Sequence, residues 1–248
     1  MRVSAGGWLA ALALAAGCAP IRGAVPQPLP PTVPPPPTTR RPTATSDPIP
    51  TSVENGWRVR GLNFHRDPVG TLRVFMEIAQ DGPGPLEAIQ VTIRLQGAGG
   101  IRVGERTVSP LLDLASPGQW SPVVAAFVPG AEFSEHQVEI RGRPAETLGP
   151  RLHSSIAARE VSHAVGAHVA QEVMGVVVNE GAQAASNLRV VAVCYDVAGR
   201  VVAAGSTTPE VSTLPPGGSS GFIVNLLDLG GEVAACRAEA QGMLGEVL

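Results

Sequence analysis

One arrangement of apolar side chains occurs twice in this 248-residue chain, 99 positions apart, and it restricts the fold more than any other feature. In the first copy Leu72, Val74, Met76 and Ile78 alternate with Arg73, Phe75, Glu77 and Ala79, and Ile89, Val91, Ile93 and Leu95 alternate with Gln90, Thr92, Arg94 and Gln96. A period of two marks half-buried β-strands. Val138 and Ile140 supply a further strand, and Trp57 with Val59 a first one. In the second copy Glu180-Gly181 falls where Asp81-Gly82 stands, and Leu188, Val190, Ala192 and Cys194 fall on Ile89, Val91, Ile93 and Leu95 without a gap. Leu114-Ala-Ser-Pro-Gly118 and Leu214-Pro-Pro-Gly217 each precede a closing strand, Trp120 to Phe127 and Gly221 to Leu226. The last strands, 136 to 142 and 233 to 240, match in position as well. Short strands in a repeat of this length predict an all-β chain of tandem Ig-like β-sandwiches, with Val91 superposing on Val190 and Ile93 on Ala192.

In the second copy the turns and strands read Val173-Met-Gly175-Val-Val-Val-Asn179-Glu-Gly181, Asn187-Leu-Arg-Val-Val-Ala-Val-Cys-Tyr195-Asp196, Gly199-Arg-Val-Val-Ala-Ala-Gly205 and Leu214-Pro-Pro-Gly217. This pattern resembles the FxLYD domain, a small Ig-like sandwich of prokaryotic surface and exported proteins. Tyr195-Asp196 match the last two letters of its naming motif, while Ala192 stands for the Phe and Cys194 for the Leu. The resemblance implies a fold and no catalytic residues. Independently of it, Asn179, Gly181, Asp196 and Gly199 suit turns closed by side-chain hydrogen bonds or positive φ.

The N-terminus differs in composition. An apolar run from Trp8 to Ala16, too short to span a bilayer, follows Arg2 and ends at Gly17-Cys18, the outline of a signal peptide. Leu14-Ala15-Ala16-Gly17-Cys18 resembles the bacterial lipoprotein cleavage box, which implies a lipidated Cys18 as first residue of the mature chain. From Ala19 to Thr51 prolines and threonines prevail and large apolar side chains are almost absent, so this stretch cannot build a core. In polyproline II geometry, at ~3.1 Å per residue, it would act as a stalk reaching ~100 Å. The expected divisions are a signal peptide at 1–17, a Pro/Thr-rich stalk at 18–54, a first and divergent sandwich at 55–148, a connector at 149–164 and an FxLYD-like sandwich at 165–242.

Few residues offer chemistry. The basic residues number 18, all of them Arg and scattered, and net charge is -3, which gives no basic patch for nucleic acid. Gly217-Gly-Ser219-Ser-Gly221 matches the nucleophile elbow of serine hydrolases letter by letter, yet a strand follows where a helix is required, and no His lies after Ser219. Turn filler is the better reading. His65, His136, His153, His163 and His168 show no metal-ligand spacing. Trp57 and Trp120 are expected to serve the core, and Tyr195 to pack at its strand end with its hydroxyl on backbone. Cys194 and Cys236 form a candidate disulfide in an exported chain, with two separate buried thiols as the alternative. In an Ig-like order a third strand between them would hold their Cα atoms beyond the ~7 Å limit.

From sequence the chain is therefore expected to be a lipoprotein of the bacterial cell envelope, held to a membrane by palmitate or a similar acyl group on Cys18. It is read as a binding or envelope-scaffold module without enzyme activity or cofactor. An accessory subunit docking on an envelope protein partner through a sheet edge is one alternative; a divergent serine hydrolase using Ser219 is another.

Overall fold

The computed structural model describes residues 51–52, 56–128, 132–166, 170–227 and 229–245. The expected signal peptide, Cys18, almost all of the stalk, and His168 lie outside the described residues. In chain order the strands are β1 Thr51–Ser52, β2 Trp57–Arg66, β3 Leu72–Gln80, β4 Leu86–Gln96, β5 Arg102–Val108, β6 Ser121–Phe127, β7 Glu135–Pro144, β8 Ile156–Ala164, β9 Gln171–Asn179, β10 Ala185–Tyr195, β11 Val201–Thr207, β12 Ser219–Leu226 and β13 Ala235–Leu244. They form antiparallel sheets in the orders β1-β2-β3-β6, β5-β4-β7, β12-β9-β8 and β11-β10-β13.

Each pair of sheets encloses one of the two alternating sets read from the sequence. Leu72, Val74, Met76 and Ile78 of β3 meet Ile89, Val91, Ile93 and Leu95 of β4 in the first core. Val173 and Val177 of β9 meet Val190, Ala192 and Cys194 of β10 in the second. Alternate side chains of a strand share a face, so burying one such row against another closes a sandwich.

The offset of 99 extends to irregular features. β3, β4 and β5 begin at 72, 86 and 102, and β9, β10 and β11 at 171, 185 and 201. The ladder between β2 and β3 shifts between Arg60 and Asn63, and that between β8 and β9 between Arg159 and Ser162. At these bulges Gly61 has φ 60° and Glu160 φ 53°. A second pair of bulges places Ala88 and Asn187 at φ 50° and 48°. Bulges fix register by bending the ladder at one position, so their recurrence shows one topology in both sandwiches.

Two further equivalent positions carry the same polar device. Gln80 Nε2 donates to the carbonyls of Gly84 and Ala115 while its Oε1 accepts from the Gly82 amide. At the corresponding place Asn179 Nδ2 donates to the carbonyls of Gln183, Leu214 and Pro215, and its Oδ1 accepts from the Gly181 amide. Each amide ties the turn after its strand to the segment that precedes the closing strand.

Three features differ from the sequence expectation. The segment expected as a connector at 149–164 carries β8, which pairs with β9 and opens the second sandwich. β5 is largely exposed and shows no apolar alternation by which to recognise it. Most consequentially, β3 is buried on both faces: Phe75, Glu77 and Ala79, which alternate with the core row, are at most 1% exposed. Val191 and Val193 of β10 are likewise 1% exposed on the side away from their own core. These outer faces cover one another, with Phe75, Val193 and Val201 forming a third apolar cluster. The sheets consequently stack in four layers: β5-β4-β7, β2-β3-β6, β11-β10-β13 and β12-β9-β8. β11 comes close to β2 at Gly61, where a Cβ would lie 2.7 Å from Val201 Cγ2.

Replacing Asn179 or Gln80 by Ala removes several hydrogen bonds at once and leaves the amide of Gly181 or Gly82 without its side-chain acceptor, and each substitution is expected to cost about 2–3 kcal/mol. Asn225→Ala, at an exposed position of β12, is expected to stay within about 0.5 kcal/mol. Urea denaturation of the three variants checks the contrast.

Candidate functional site

A group of charged and polar side chains around a fully buried carboxylate lies where the two middle sheets meet. Glu77, on the central strand β3, has a fully buried side chain. Its neighbour Arg60 on β2, the opposite residue in the ladder, donates from Nε to Glu77 Oε2 at 2.9 Å. From the other sandwich, Arg237 on β13 donates from Nη2 to Glu77 Oε1. Tyr195, at the end of β10, donates from its hydroxyl to Glu77 Oε2 at 2.5 Å and accepts from Arg237 Nε at 2.6 Å. Glu239 holds the remaining end of the Arg237 guanidinium at 2.5 Å. Two carboxylates face two guanidiniums, so the group is neutral as a whole.

Burial drives the Tyr195 hydroxyl well above its ordinary pKa, and the Glu77 charge pushes it the same way. The hydroxyl therefore stays protonated and remains a donor. Burial alone would lower Arg237, but the Glu77 carboxylate, with Tyr195 and Glu239, outweighs it and holds the guanidinium above its ordinary range. Arg60 is further fixed by Trp120, whose ring centroid lies 4.0 Å from the guanidinium carbon. Charges taken out of water are costly unless every partner is in place, and here the partners come from both sandwiches.

Around this group, further bonds cross between the sandwiches. Asn63 Nδ2 donates to the carbonyls of Val201 and Gly230, and Gln241 Nε2 to the carbonyl of Leu114. Arg189 Nη1 donates to the carbonyl of Leu111. The arrangement holds one sheet against another in a fixed register. Its carboxylates and guanidiniums are spent on one another.

Cys194 and Cys236 stand opposite each other in the ladder between β10 and β13 and are joined by a disulfide, with Cα atoms 4.0 Å apart. The intervening strand anticipated from an Ig-like order is absent: β13 is the direct neighbour of β10. Ser219 opens β12 with its side chain exposed, and that strand runs on to Leu226, so a strand follows it where an elbow has a helix. His153 Nε2 bonds the carbonyl of Gln183, His163 Nδ1 bonds Gln171, His136 packs at a tilt against Phe64, and His65 lies on β2. Among the described residues no three His, Cys, Asp or Glu side chains group so as to hold a metal ion. No described helix is long and apolar enough to cross a membrane.

Trp57 joins the first core as expected. Trp120 instead lies against Arg58 and Arg60. Tyr195 departs from expectation too, since its hydroxyl bonds side chains and not backbone. Glu77 and Arg237 were not singled out by sequence reasoning. The one available signal was the unbroken apolar run from Val190 to Cys194, which is typical of a strand covered on both faces.

Neither a scan against models of protein families nor a search of curated proteins gives a match to this chain.

Glu77→Ala leaves Arg60 and Arg237 facing each other without their shared carboxylate, and is expected to lower the unfolding free energy by about 3–5 kcal/mol. Chemical denaturation followed by tryptophan fluorescence measures this. Replacing Cys194 and Cys236 together by Ala is expected to cost about 2–4 kcal/mol, and thiol titration of the unfolded, unreduced mature protein should find neither sulfur free.

Proposed function

We propose that this chain is an extracytoplasmic lipoprotein, anchored through an acyl group on Cys18, whose FxLYD-like tandem sandwiches serve as a binding or envelope-scaffold module. The reading is carried by the order of segments along the sequence: a short apolar run, small residues up to Cys18, a Pro/Thr-rich stretch, then two folded sandwiches. Two or more acyl chains hold a protein stably at a membrane where one does not, and a lipoprotein cysteine carries a diacylglycerol. The disulfide between Cys194 and Cys236 fits an oxidising compartment outside the cytoplasm. A scaffold needs rigid geometry, and the clamp of Arg60, Tyr195 and Arg237 on Glu77 supplies a fixed relation between the two sandwiches.

Metabolic labelling with palmitate in a bacterial host tests the anchor. The wild-type chain is expected to take up label and sediment with membranes, and Cys18→Ser to lose both. Equal labelling of the two would overturn the assignment.

A further inference from the structure

The disulfide and the clamp on Glu77 occupy the same few rungs of one ladder. Cys194 stands opposite Cys236, and the rungs on either side pair Tyr195 with Ala235 and Val193 with Arg237. Successive residues of a strand take opposite faces, so the two sulfurs lie on the core side while Tyr195 and Arg237 turn to the first sandwich. Tyr195 and Arg237 are thus diagonal neighbours across the disulfide rung, and the 2.6 Å bond from Arg237 Nε to the Tyr195 hydroxyl passes over that rung on the other face.

The ladder also ends here. Tyr195 is the last residue of β10 and Ala235 the first of β13. Within its sheet β13 is an edge strand held by β10 alone, and the register of β10 with β11 shifts between Cys194 and Tyr195. Strand ends are the first places to fray. A covalent rung one step inside the end removes that freedom where the clamp needs its two donors fixed. The first sandwich shows that the fold itself does not need the bond. There Leu95 stands opposite His136 at the equivalent rung, with Gln96 and Gln137 in the places of Tyr195 and Arg237. Leu95 is fully buried in a closed core all the same.

We propose that the disulfide between Cys194 and Cys236 positions Tyr195 and Arg237 for Glu77 and so makes the docking of the two sandwiches depend on redox state: a dithiol that reduces the bond releases the clamp, and reoxidation restores it. Cys236 is partly exposed and Cys194 fully buried, so exchange begins at Cys236. A thiolate of the dithiol attacks Cys236 Sγ, the sulfur–sulfur bond breaks, and Cys194 leaves as a thiolate that takes up a proton. The second thiolate of the dithiol then attacks its own partner sulfur in the mixed disulfide. Cys236 leaves and is protonated in turn, and the dithiol ends as a disulfide, its two electrons having passed to the cystine. With the rung open the ladder frays from its end, and Tyr195 and Arg237 lose their fixed spacing. Glu77 then keeps only Arg60, and because buried charges fail together the sandwiches part.

A thermodynamic cycle on the full chain in detergent separates this positioning from a bond that merely stabilises the second sandwich. Tyr195→Phe removes the hydroxyl and leaves the ring. In the oxidised chain it is expected to lower the folding equilibrium constant about tenfold or more, the range for a hydrogen bond to a charged group. With dithiothreitol present, or in a chain carrying both Cys194→Ala and Cys236→Ala, the loss is expected to shrink to about threefold or less. Asn179→Ala, whose side-chain bonds lie within the second sandwich away from the clamp, is expected to lose the same factor in both redox states. Hydroxyl-radical footprinting without denaturant, after the dithiothreitol is removed under exclusion of air, reads the docking itself. Phe75 of the interface is expected to react severalfold faster in the reduced chain and Phe222 of the second core to stay as slow as before. An equal loss for Tyr195→Phe in both redox states, no change at Phe75, a rise at Phe222 alongside it, or a disulfide that dithiothreitol leaves intact in the folded chain would each overturn the proposal.

Discussion

A carboxylate at the centre of a β-sheet, sealed from water by a second domain, sets the terms for the rest of this molecule. Taken alone, Glu77 would be costly by several kcal/mol. Arg60 lies beside it in the same sheet, but Arg237 and the Tyr195 hydroxyl reach it only when the second sandwich is seated. The cluster therefore discriminates among ways of docking more than it adds to stability. An apolar contact such as that of Phe75 with Val193 and Val201 tolerates sliding by one residue pair. A carboxylate with three donors at fixed places does not, because a slip leaves a charge buried without its partners.

Most of the scaffold was legible because its rules are local. The alternation of Leu72 to Ile78, and that of Ile89 to Leu95 with its repeat from Leu188 to Cys194, determine which strands exist and which rows face a core. The turn residues Asn179, Gly181, Asp196 and Gly199 do in the structure what their chemistry suggests: Asn179 closes one turn through its side chain, and Asp196 accepts from the amides of Ala198 and Arg200 around Gly199. The docked faces were not legible, for a physical reason. Alternation reports that two faces of a strand differ, not that the second one meets water. Phe75-Met-Glu77-Ile-Ala79 reads as one covered row and one mixed row whether the mixed row faces solvent or another sheet. β5 escaped for the converse reason: an exposed edge strand can be built from Arg, Glu and Thr paired across the ladder, as Thr92 and Thr107 are, with hardly any apolar residue. The disulfide turned on strand order, since alternation places Cys194 in a core row but cannot say that β13 lies next to it.

Comparison of the repeats separates residues that maintain a sandwich from residues that join two of them. Gln80 and Asn179 are different amides doing one job, and Gly118 and Gly217 share a positive φ at the same turn. The carboxylate and the hydroxyl at the interface have no such counterparts, although Arg159 stands where Arg60 does. Val176 stands where Glu77 would, and Gln96 stands where Tyr195 would. A clamp made from unmatched residues works between a first and a second sandwich and cannot be repeated by adding a third. The asymmetry thus limits intramolecular stacking through this clamp to two domains.

The same division determines how the molecule comes apart. Each sandwich has its own large apolar core, whereas the cluster between them contains three fully buried apolar side chains with Tyr195, Val124 and Ala204 at its margin. Apolar burial scales with area, so the interface holds less of the hydrophobic free energy than either core. What it holds in addition is polar and collective. Losing any one partner of Glu77 strands the others in a place without water, so the interface fails as a unit and not bond by bond. Failure exposes Phe75, Val191 and Val193 together, on two sheets already shaped to fit each other. Separated sandwiches are thus driven back to the same contact, and the charged cluster then selects the register in which they settle.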